Sequence, residues 1–399
     1  MEAWMGKTTV RFKKSSRKVI GKYVILKTRI QLTVNDVLYI MLTVESVSVS
    51  YLSLLKSEAI EMNRNNRTPD QLATDIIAGD RIRRSDDLSI FLTAPLEELQ
   101  EGAGRLQRHF CGKHIDFCTI INGRSGRCGE NCKYCAQAAC HHTGIDEYGF
   151  LPKEEIIRNA RANQEAGANR FAIVTSGRAL TGQDFDKAIE TYKEMKRTLT
   201  IDLCASHGLL TREQLHRLHE AGVTSYHHNI ETSRRFFPQI CTSHTYDDRI
   251  RTIKMAQEEG FCVCSGGIIG MGETWEDRLD MALSLQELGI ESIPINALMP
   301  IPGTGMEGRP QLPAEDILRT IAFFRYINPT ANIRLAAGRK LLPQNGATAF
   351  ETGASASITG NMLTTSGTTI KEDMQMLRKL GLTNKDEDCT AATGTCGAH

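Results

Sequence analysis

Three cysteines stand within one short segment of the chain, at Cys128, Cys132 and Cys135. Their C-x3-C-x2-C spacing lets three thiolates bind one metal centre from a single tight loop. The number is informative because a [4Fe–4S] cluster held entirely by protein takes four cysteines, so one iron would be open to another ligand. A structural zinc or electron-transfer loop is the alternative, but zinc sites favour paired C-x2-C units and a fourth ligand.

The same segment resembles the signature of the radical SAM superfamily, with Tyr134 as the aromatic residue between the last two cysteines. The resemblance implies that the open iron chelates the amino and carboxylate groups of S-adenosylmethionine (SAM). It also implies that the reduced cluster passes one electron to the sulfonium and cleaves SAM to methionine and a 5′-deoxyadenosyl radical.

The composition is that of an ordinary globular protein, with 399 residues of which 41% are hydrophobic and 24% charged. This length accommodates one barrel of about 250 residues plus extensions. A net charge of +1 gives no electrostatic reason to expect nucleic acid or an anionic membrane as a partner. Twelve cysteines without a convincing secretory signal indicate a reducing compartment, so we expect a cytoplasmic protein.

The first 65 residues do not resemble the rest of the chain. Asn35, Asp36 and Glu45 interrupt their apolar stretch, which therefore lacks the roughly 18 uncharged residues of a membrane span. No clear small-residue cleavage pattern of a transit peptide follows the basic start. We expect a poorly ordered extension at 1–65, a helical flank at 66–116, the main domain at 117–383 and a flexible tail at 384–399.

The main domain repeats a strand followed by a helix. Strands are predicted at 118–122, 170–176, 200–206, 224–231, 261–269, 292–299, 332–337 and 354–359. Helical segments end at Gly167, Gly222, Gly260 and Gly289, where glycine adopts the left-handed conformation without strain. Eight such units predict an α/β fold, a closed (βα)8 barrel of the TIM type. A doubly wound open sheet is the alternative, but its Gly-x-Gly-x-x-Gly loop is missing after the first strand.

Sulfur and charge meet inside this predicted barrel. Cys204 and Cys264 fall on the third and fifth strands, and Arg334 falls on the seventh. A lone cysteine on a strand usually acts as a small buried hydrophobic residue. A buried arginine needs a partner, however, and a sulfide of a second iron–sulfur cluster would supply one. Cys262 shares a strand face with Cys264 but lies deeper, so we interpret it as core.

The end of the fourth strand carries polar groups on one face. Because side chains alternate along a strand, His227, Asn229 and Glu231 share a face while His228 points the other way. An amide and a carboxylate on an inward face suit hydrogen bonding to a ribose or a small polar substrate. A salt-bridged loop is the alternative.

A glycine-rich stretch from Ser265 to Glu273 follows the fifth strand. Glycines such as Gly270 remove Cβ atoms where a backbone approaches a flat ligand, although the motif is weak by itself. Asn296 places an amide on the sixth strand. Arg249 offers bidentate pairing with a carboxylate, with a surface ion pair on a helix as the alternative.

These segments together resemble the biotin synthase family, from about residue 110 to 382. The resemblance rests on Cys-Gly-Glu-Asn-Cys-Lys-Tyr-Cys, Tyr-His-His-Asn-Ile-Glu-Thr, Val-Cys-Ser-Gly-Gly-Ile-Ile-Gly-Met-Gly-Glu, Ile-Pro-Ile-Asn and Ile-Arg-Leu-Ala-Ala-Gly-Arg. It implies a radical SAM barrel that converts dethiobiotin to biotin by inserting sulfur between two unactivated carbons, at the expense of two SAM molecules.

The resemblance also implies roles for individual residues. The [4Fe–4S] cluster would be held by Cys128, Cys132 and Cys135. The SAM and dethiobiotin contacts would come from Tyr134, Asn229, Glu231, Arg249, Gly270, Glu273 and Asn296. An auxiliary iron–sulfur cluster, the sulfur donor, would be held by Cys204, Cys264 and Arg334.

The chain departs from the family pattern at three positions. Ala172 stands where the pattern has a third auxiliary-cluster cysteine, and His227 and Glu231 replace an asparagine and an aspartate. We hypothesise that Cys111 and Cys118 join Cys204 and Cys264 around the auxiliary cluster, which would be [2Fe–2S] or larger.

Two other functions are consistent with the cysteine loop. One is a different radical SAM reaction, such as that of a mutase or a metal-cofactor maturase, but such a reaction needs no donor sulfide. The other is a non-catalytic iron–sulfur scaffold, which would leave Asn229, Glu231 and Asn296 unexplained. By analogy with the family we expect a flavodoxin- or ferredoxin-type electron donor and a homodimer.

Overall fold

The computed structural model describes residues 67–360 and 368–385, together with a two-residue antiparallel pair formed by Val19–Ile20 and Tyr23–Val24. The chain divides into two compact units, 1–66 and 67–399. The expectations for most of the first 65 residues, and for the tail from residue 386 onward, fall outside the described residues. No helix in the described ranges is long and apolar enough to cross a membrane.

Nine parallel strands form the second unit's sheet. They are β1 Asp116–Arg124, β2 Arg170–Thr175, β3 Asp202–Ser206, β4 Ser225–His227, β5 Cys262–Cys264, β6 Gly267–Ile269, β7 Ser292–Ala297, β8 Asn332–Leu335 and β9 Ala356–Ile358. β5 and β6 are two halves of one barrel strand, and both pair with β7. The sheet closes because β8 pairs with both β7 and β9, and β9 pairs with β1. The predicted eight-stranded barrel is confirmed.

Helices alternate with these strands and cover the sheet. They are α1 Pro69–Ile77, α2 Ile90–Thr93, α3 Leu96–Cys111, α4 Lys153–Glu165, α5 Gly182–Thr198, α6 Arg212–Glu220, α7 Phe237–Ile240, α8 Tyr246–Glu258, α9 Trp275–Glu287, α10 Ala314–Ile327, α11 Ala347–Glu351 and α12 Ile370–Lys379. Capping boxes start several of them, including the predicted box at Thr211 and Gln214. The chain leaves α4 and α6 through Gly167 and Gly222, both at positive φ as predicted.

The helices before the barrel pack on α10. The Tyr326 hydroxyl donates a hydrogen bond to the Pro69 carbonyl at 3.0 Å, and the ring centroid of Tyr326 lies 5.5 Å from that of Phe91. Leu99 and Leu106 on α3 are completely buried. The predicted helical flank therefore contributes a continuous apolar layer outside the barrel.

The fourth strand is shorter than the predicted segment 224–231. β4 ends at His227, and Glu231 adopts a positive φ of 70° and forms an isolated bridge with Gly267. Asn229 and Glu231 therefore lie on a bend beyond the strand rather than on it. They nevertheless line the barrel interior together with His227. The three side chains share an inward direction as expected, but a bend of the backbone rather than strand alternation directs two of them.

Candidate active site

One cavity of about 360 Å³ runs through the interior of the barrel. Its mouth lies at the carboxyl ends of the strands, where Tyr134, Cys135 and Ile301 line it. Its deep end is lined by Asp116 and Arg334. Active sites of barrels of this type lie at the carboxyl ends of the strands, and the chain places its cysteine loop there.

The cysteine loop follows β1 and is fixed by its own backbone. The N–H of Cys128 donates to the Gln137 carbonyl at 3.1 Å, and the N–H of Cys135 donates to the Cys132 carbonyl at 3.0 Å. All three cysteines are free thiols. Burial raises the pKa of Cys135 to about 11, so a bound metal would have to displace its proton. Three free thiols in one loop, with no fourth cysteine between them, fit a cluster that leaves one iron open.

Arg249 lies behind Glu231 rather than at the surface. Its guanidinium donates to the Asn229 carbonyl at 2.8 Å and to a Glu231 carboxylate oxygen at 3.2 Å. Its Nε donates to His244 Nε2 at 3.0 Å. Arg249 is only 8% exposed, which rules out the surface ion pair that we considered as its alternative. The arginine holds the carboxylate of Glu231 in place at the cavity wall.

A hydrogen-bonded chain continues from Arg249 to the cysteine loop. Because His244 Nε2 accepts from Arg249, its proton is on Nδ1, which contacts the carboxylate of Glu130. Burial alone would raise the pKa of Glu130, but hydrogen bonds from Ser243 and His244 lower it below its ordinary value. Glu130 lies between Cys128 and Cys132, so the chain links the cysteine loop to the Glu231 wall.

The glycine-rich stretch forms a tight bend whose predicted cofactor residues do not line the cavity. The Glu273 carboxylate accepts from the N–H groups of Gly270 at 2.7 Å and Met271 at 2.8 Å, and from Arg278 Nε at 2.7 Å. A Cβ on Gly266 would lie 2.0 Å from the Pro294 carbonyl oxygen. Glu273 and Gly270 therefore shape the bend between β6 and α9.

Asn296 lies on β7 at the cavity wall. Its Nδ2 donates to the Gly267 carbonyl at 3.0 Å, and its Oδ1 accepts from the Ala337 N–H at 3.1 Å. The amide thus connects three neighbouring segments of the barrel. Both of its polar ends are oriented by backbone groups, which fixes the face that it presents to the cavity.

The deep part of the cavity is lined by sulfur. Cys118 and Cys204 form a small buried cluster with Ala172, because Ala172 pairs in register with Cys204 across β2 and β3. Cys264 accepts a hydrogen bond from Ser292 Oγ at 3.3 Å and lines the same cavity. The structure therefore brings Cys118, Cys204 and Cys264 together.

His227 is directly opposite Cys264 in the register of β4 and β5. Burial alone would raise the pKa of the Cys264 thiol, but the hydrogen bond and charge of His227 lower it to about 7. Burial raises the pKa of Cys118 to about 12. Cys264 is thus the more readily ionised of these two thiols, owing to its histidine neighbour.

Arg334 closes the deep end through a carboxylate that our sequence analysis missed. Its guanidinium contacts the side chain of Asp116 and donates to the Asp116 carbonyl at 3.1 Å. Arg170 Nε donates to the same carboxylate at 3.1 Å. Arg170 also lies 3.6 Å from the carboxylate of Asp202, so Arg334 is the cation at this end that would face an anionic sulfide. Asp116 and Arg170 each lie two positions before an inward-facing residue of the same strand. Because side chains alternate along a strand, the sequence could have predicted that both point into the barrel.

Cys111 is not among the residues that the structure brings to this cavity. It is the last residue of α3 and is buried beside the guanidinium of Arg325. Arg325 donates to the Gly353 carbonyl at 2.8 Å and to the Ala331 carbonyl at 2.7 Å. The thiol of Cys111 is therefore part of a packed contact between α3 and α10.

Comparison with known proteins identifies two family models along the chain. The Radical SAM superfamily model matches residues 124–285, and the Biotin and Thiamin Synthesis associated domain matches residues 294–383. Together they cover the barrel from the end of β1 to beyond α12. The first match ends within α9 and the second begins within β7.

Two curated relatives and one solved structure show the extent of the similarity. A biotin synthase from Alkaliphilus metalliredigens (strain QYMF) is 56% identical over 311 residues, covering 78% of this chain and 98% of the relative. A biotin synthase from Clostridium beijerinckii (strain ATCC 51743 / NCIMB 8052) is 55% identical over 312 residues, covering 78% and 99%. The crystal structure of a methylornithine synthase superposes with a TM-score of 0.69 at 18% identity, covering 79% of this chain and 98% of that one. The last similarity concerns the fold alone.

Proposed function

The chain belongs to the biotin synthase family of radical SAM enzymes, and from this premise we propose how its residues convert dethiobiotin to biotin. The enzyme is a sulfurtransferase that uses SAM, a [4Fe–4S] cluster and an auxiliary iron–sulfur cluster. The family and the chemistry expected from the sequence are thereby confirmed. The alternatives of another radical SAM reaction and of a non-catalytic scaffold are set aside.

The observation that supports the proposal is a single cavity extending from the cysteine loop to the sulfur-lined interior. Cys135 lines it at the mouth, and Cys118, Cys204 and Cys264 line it at depth. When bound, the first cluster supplies the electron that cleaves SAM and the auxiliary cluster supplies the sulfur atom. Dethiobiotin would lie between the two, within reach of both.

We assign the first cluster to Cys128, Cys132 and Cys135, and SAM to the wall beside them. Asn229, Glu231 and Asn296 present one amide, one carboxylate and another amide to the cavity. The carboxylate of Glu231 accepts from Arg249 at 3.2 Å, so it is oriented before a ligand arrives. Such preorganised acceptors suit ribose hydroxyls or the ureido N–H groups of dethiobiotin. Tyr134 lines the same mouth.

Arg249, Gly270 and Glu273 serve SAM binding indirectly in this proposal. Arg249 orients Glu231, while Glu273 fixes the bend that begins at Gly270. These residues keep the wall of the cavity rigid. Rigidity matters because a primary carbon radical abstracts hydrogen from almost any nearby C–H bond, so the substrate carbon must lie nearer than any side chain.

We propose that the auxiliary cluster is held by Cys118, Cys204 and Cys264, with Arg334 facing it as a hydrogen-bond donor. Cys118 compensates for Ala172, its neighbour in the buried sulfur cluster. Cys111 is omitted from the set because its thiol contacts Arg325. The guanidinium of Arg334 stays cationic here because Asp116 lies against it.

Three features of the cellular setting complete the proposal. A flavodoxin- or ferredoxin-type protein would deliver electrons to the first cluster, since SAM cleavage requires a low potential. The enzyme would act in the cytoplasm, where a reducing environment keeps the thiols of the cysteine loop available to iron. It would form a homodimer, as is usual in the family.

The function is tested by anaerobic reconstitution with iron and sulfide, followed by a low-potential reductant, SAM and dethiobiotin. Because two C–H bonds must be broken, we expect two molecules of 5′-deoxyadenosine for each biotin. Deoxyadenosine without biotin would contradict the proposed substrate. Neither product, from protein with its first cluster intact, would contradict radical chemistry altogether.

Cysteine variants separate the two proposed clusters. We expect Cys132→Ala to abolish both products, whereas Cys118→Ala with Cys204→Ala should retain deoxyadenosine and lose biotin. Cys140→Ala is the matched control, because Cys140 is an exposed free cysteine of the same region and should retain both. Full biotin formation by the Cys118→Ala, Cys204→Ala protein would overturn the auxiliary ligand set.

A further inference from the structure

Cys241 lies against the cysteine loop and has no part in the function described so far. It caps the carboxyl end of α7, and its Sγ is 3.7 Å from Sγ of Cys132. Cys132 is 7% exposed and Cys241 is 4% exposed. A thiol is a weak hydrogen-bond donor and a sulfur atom a weak acceptor, so this buried pair is placed to form a sulfur–sulfur hydrogen bond.

The backbone on both sides of the pair fixes this separation. The N–H of Lys133 donates to the Ile240 carbonyl at 2.9 Å. Oδ1 of Asn131 accepts from the N–H groups of Thr242 at 3.0 Å and Ser243 at 3.1 Å. The residues that flank Cys132 are thus bonded to the residues that flank Cys241, and the two sulfurs are held in register.

The direction of the hydrogen bond follows from metal binding. A cysteine bound to iron is a thiolate and has no proton, so within the pair only Cys241 can donate. Two neutral oxygens compete as acceptors, Asn131 Oδ1 at 3.5 Å and Ser243 Oγ at 3.4 Å. The amide oxygen already accepts from two backbone N–H groups, and the hydroxyl already accepts from the N–H of Asn131. The Nδ1 of His244, at 3.4 Å from the sulfur, carries its own proton. An anionic sulfur is the stronger acceptor.

We propose that Cys241 donates a hydrogen bond to the Cys132 thiolate and thereby raises the reduction potential of the SAM-cleaving cluster. Hydrogen bonds to cluster sulfurs are among the factors that set these potentials. They stabilise the reduced state more strongly because it carries more negative charge. Cys241 is a positioning residue in this inference, which rests on the proposed role of Cys132 as a cluster ligand.

The test compares Cys241→Ala and Cys241→Ser with the parent protein and with Cys140→Ala. Each reconstituted protein is assayed for iron per chain, and its midpoint potential is measured by EPR-monitored titration without SAM. The signal that changes when SAM is added identifies the relevant cluster. We expect Cys241→Ala to retain its iron and shift to a more negative potential. Cys241→Ser keeps a donor, so it and Cys140→Ala should retain the parent potential.

Three results would overturn the inference. Cys241→Ala could retain the parent potential with full iron, Cys241→Ser could shift as far as Cys241→Ala, or Cys241→Ala could lose iron and so reveal a structural role. A parent protein without any SAM-responsive signal would instead refute the ligand assignment of Cys132. That outcome distinguishes failure of the proposed function from failure of the hydrogen bond.

Discussion

Asp116 determines the charge balance of the barrel interior. It is 3% exposed and contacts the guanidiniums of both Arg170 and Arg334. Burial alone would raise its pKa, but the two positive charges hold the pKa well below its usual range. The carboxylate therefore remains ionised at neutral pH, and it fixes Arg334 towards the deep end of the cavity.

Replacing Asp116 with asparagine should destabilise the protein strongly. The variant removes the carboxylate that faces the buried guanidinium of Arg334 and leaves Arg170 with Asp202 at 3.6 Å, and breaking a buried pair in this way costs about 3–5 kcal/mol. The free energy of unfolding in urea measures this loss. Asp70→Asn is the matched control, because Asp70 pairs with Arg105 while its side chain is 72% exposed, and such pairs contribute about 1 kcal/mol or less. Equal losses in the two variants would contradict this account of the interior.

His207 makes the stability of the fold depend on pH. The ring is fully buried, with Nδ1 3.0 Å from Thr175 Oγ1 and Nε2 3.0 Å from the Tyr192 hydroxyl. Burial lowers its pKa to about 3. The folded protein therefore holds a neutral histidine at pH values where the unfolded chain takes up a proton.

Stability should accordingly fall as the pH is lowered from about 6.5 towards 3. In that window this one histidine changes the free energy of unfolding by about 1.4 kcal/mol per pH unit, which is its part of the slope of stability against pH. His207→Gln should lose this part of the slope, whereas His142→Gln, at an exposed position, should retain it. Urea unfolding at a series of pH values measures both. A His207→Gln protein with the parent's slope would contradict the argument.

At the scale of elements, the break between β5 and β6 shapes the cavity wall. The strand bends at Ser265 and Gly266, and the Gly266 N–H donates to Asn229 Oδ1 at 3.0 Å. Glycine is required there because a Cβ would approach the Pro294 carbonyl oxygen to 2.0 Å. The bend thus allows β7 to approach closely and orients Asn229 at the same time.

Gly266→Ala should disrupt this junction. The added methyl meets backbone, which cannot move away as a side chain can, so we expect a loss of unfolding free energy near the upper end of about 1–3 kcal/mol. Gly308→Ala is the control, because a Cβ there meets nothing within 4 Å. Thermal and urea unfolding of both variants measure the difference. A Gly266→Ala protein as stable as Gly308→Ala would refute the close approach.

Most of the fold was predictable from the sequence because buried parallel strands form apolar runs between glycine-terminated helices. Cys204 and Cys264 were expected inside the barrel, and of the two cysteines added to them by hypothesis the structure brings Cys118 to the cavity but not Cys111. The direction of the Glu273 side chain was not predictable from the sequence. Its carboxylate accepts from backbone N–H groups of its own loop, and the bend of that loop fixes their positions. The burial of Arg249 likewise depends on contacts across the barrel.

At the scale of the whole molecule, the segment 368–385 closes the amino-terminal end of the barrel. The Thr383 carbonyl accepts from the Ile115 N–H at 2.7 Å, and the Asn384 carbonyl accepts from Asn169 Nδ2 at 2.9 Å. Asp373 on α12 accepts from Arg339 Nη2 at 2.6 Å. These contacts join the last helix to β1, to the start of β2 and to the loop after β8.

A chain that ends at residue 367 should therefore be far less stable than one that ends at residue 385. The shorter chain leaves the buried guanidinium of Arg339 without Asp373, which alone costs about 3–5 kcal/mol, and it removes the cover from the first two strands. The longer chain retains the contacts of Thr383, Asn384 and Asp373 given above. Urea unfolding of the cluster-free proteins measures the difference, and iron binding after reconstitution shows whether the cavity survives. Equal stability of the two chains would mean that the barrel closes without α12, and it would contradict the stabilising role that the contact between Asp373 and Arg339 has in this argument.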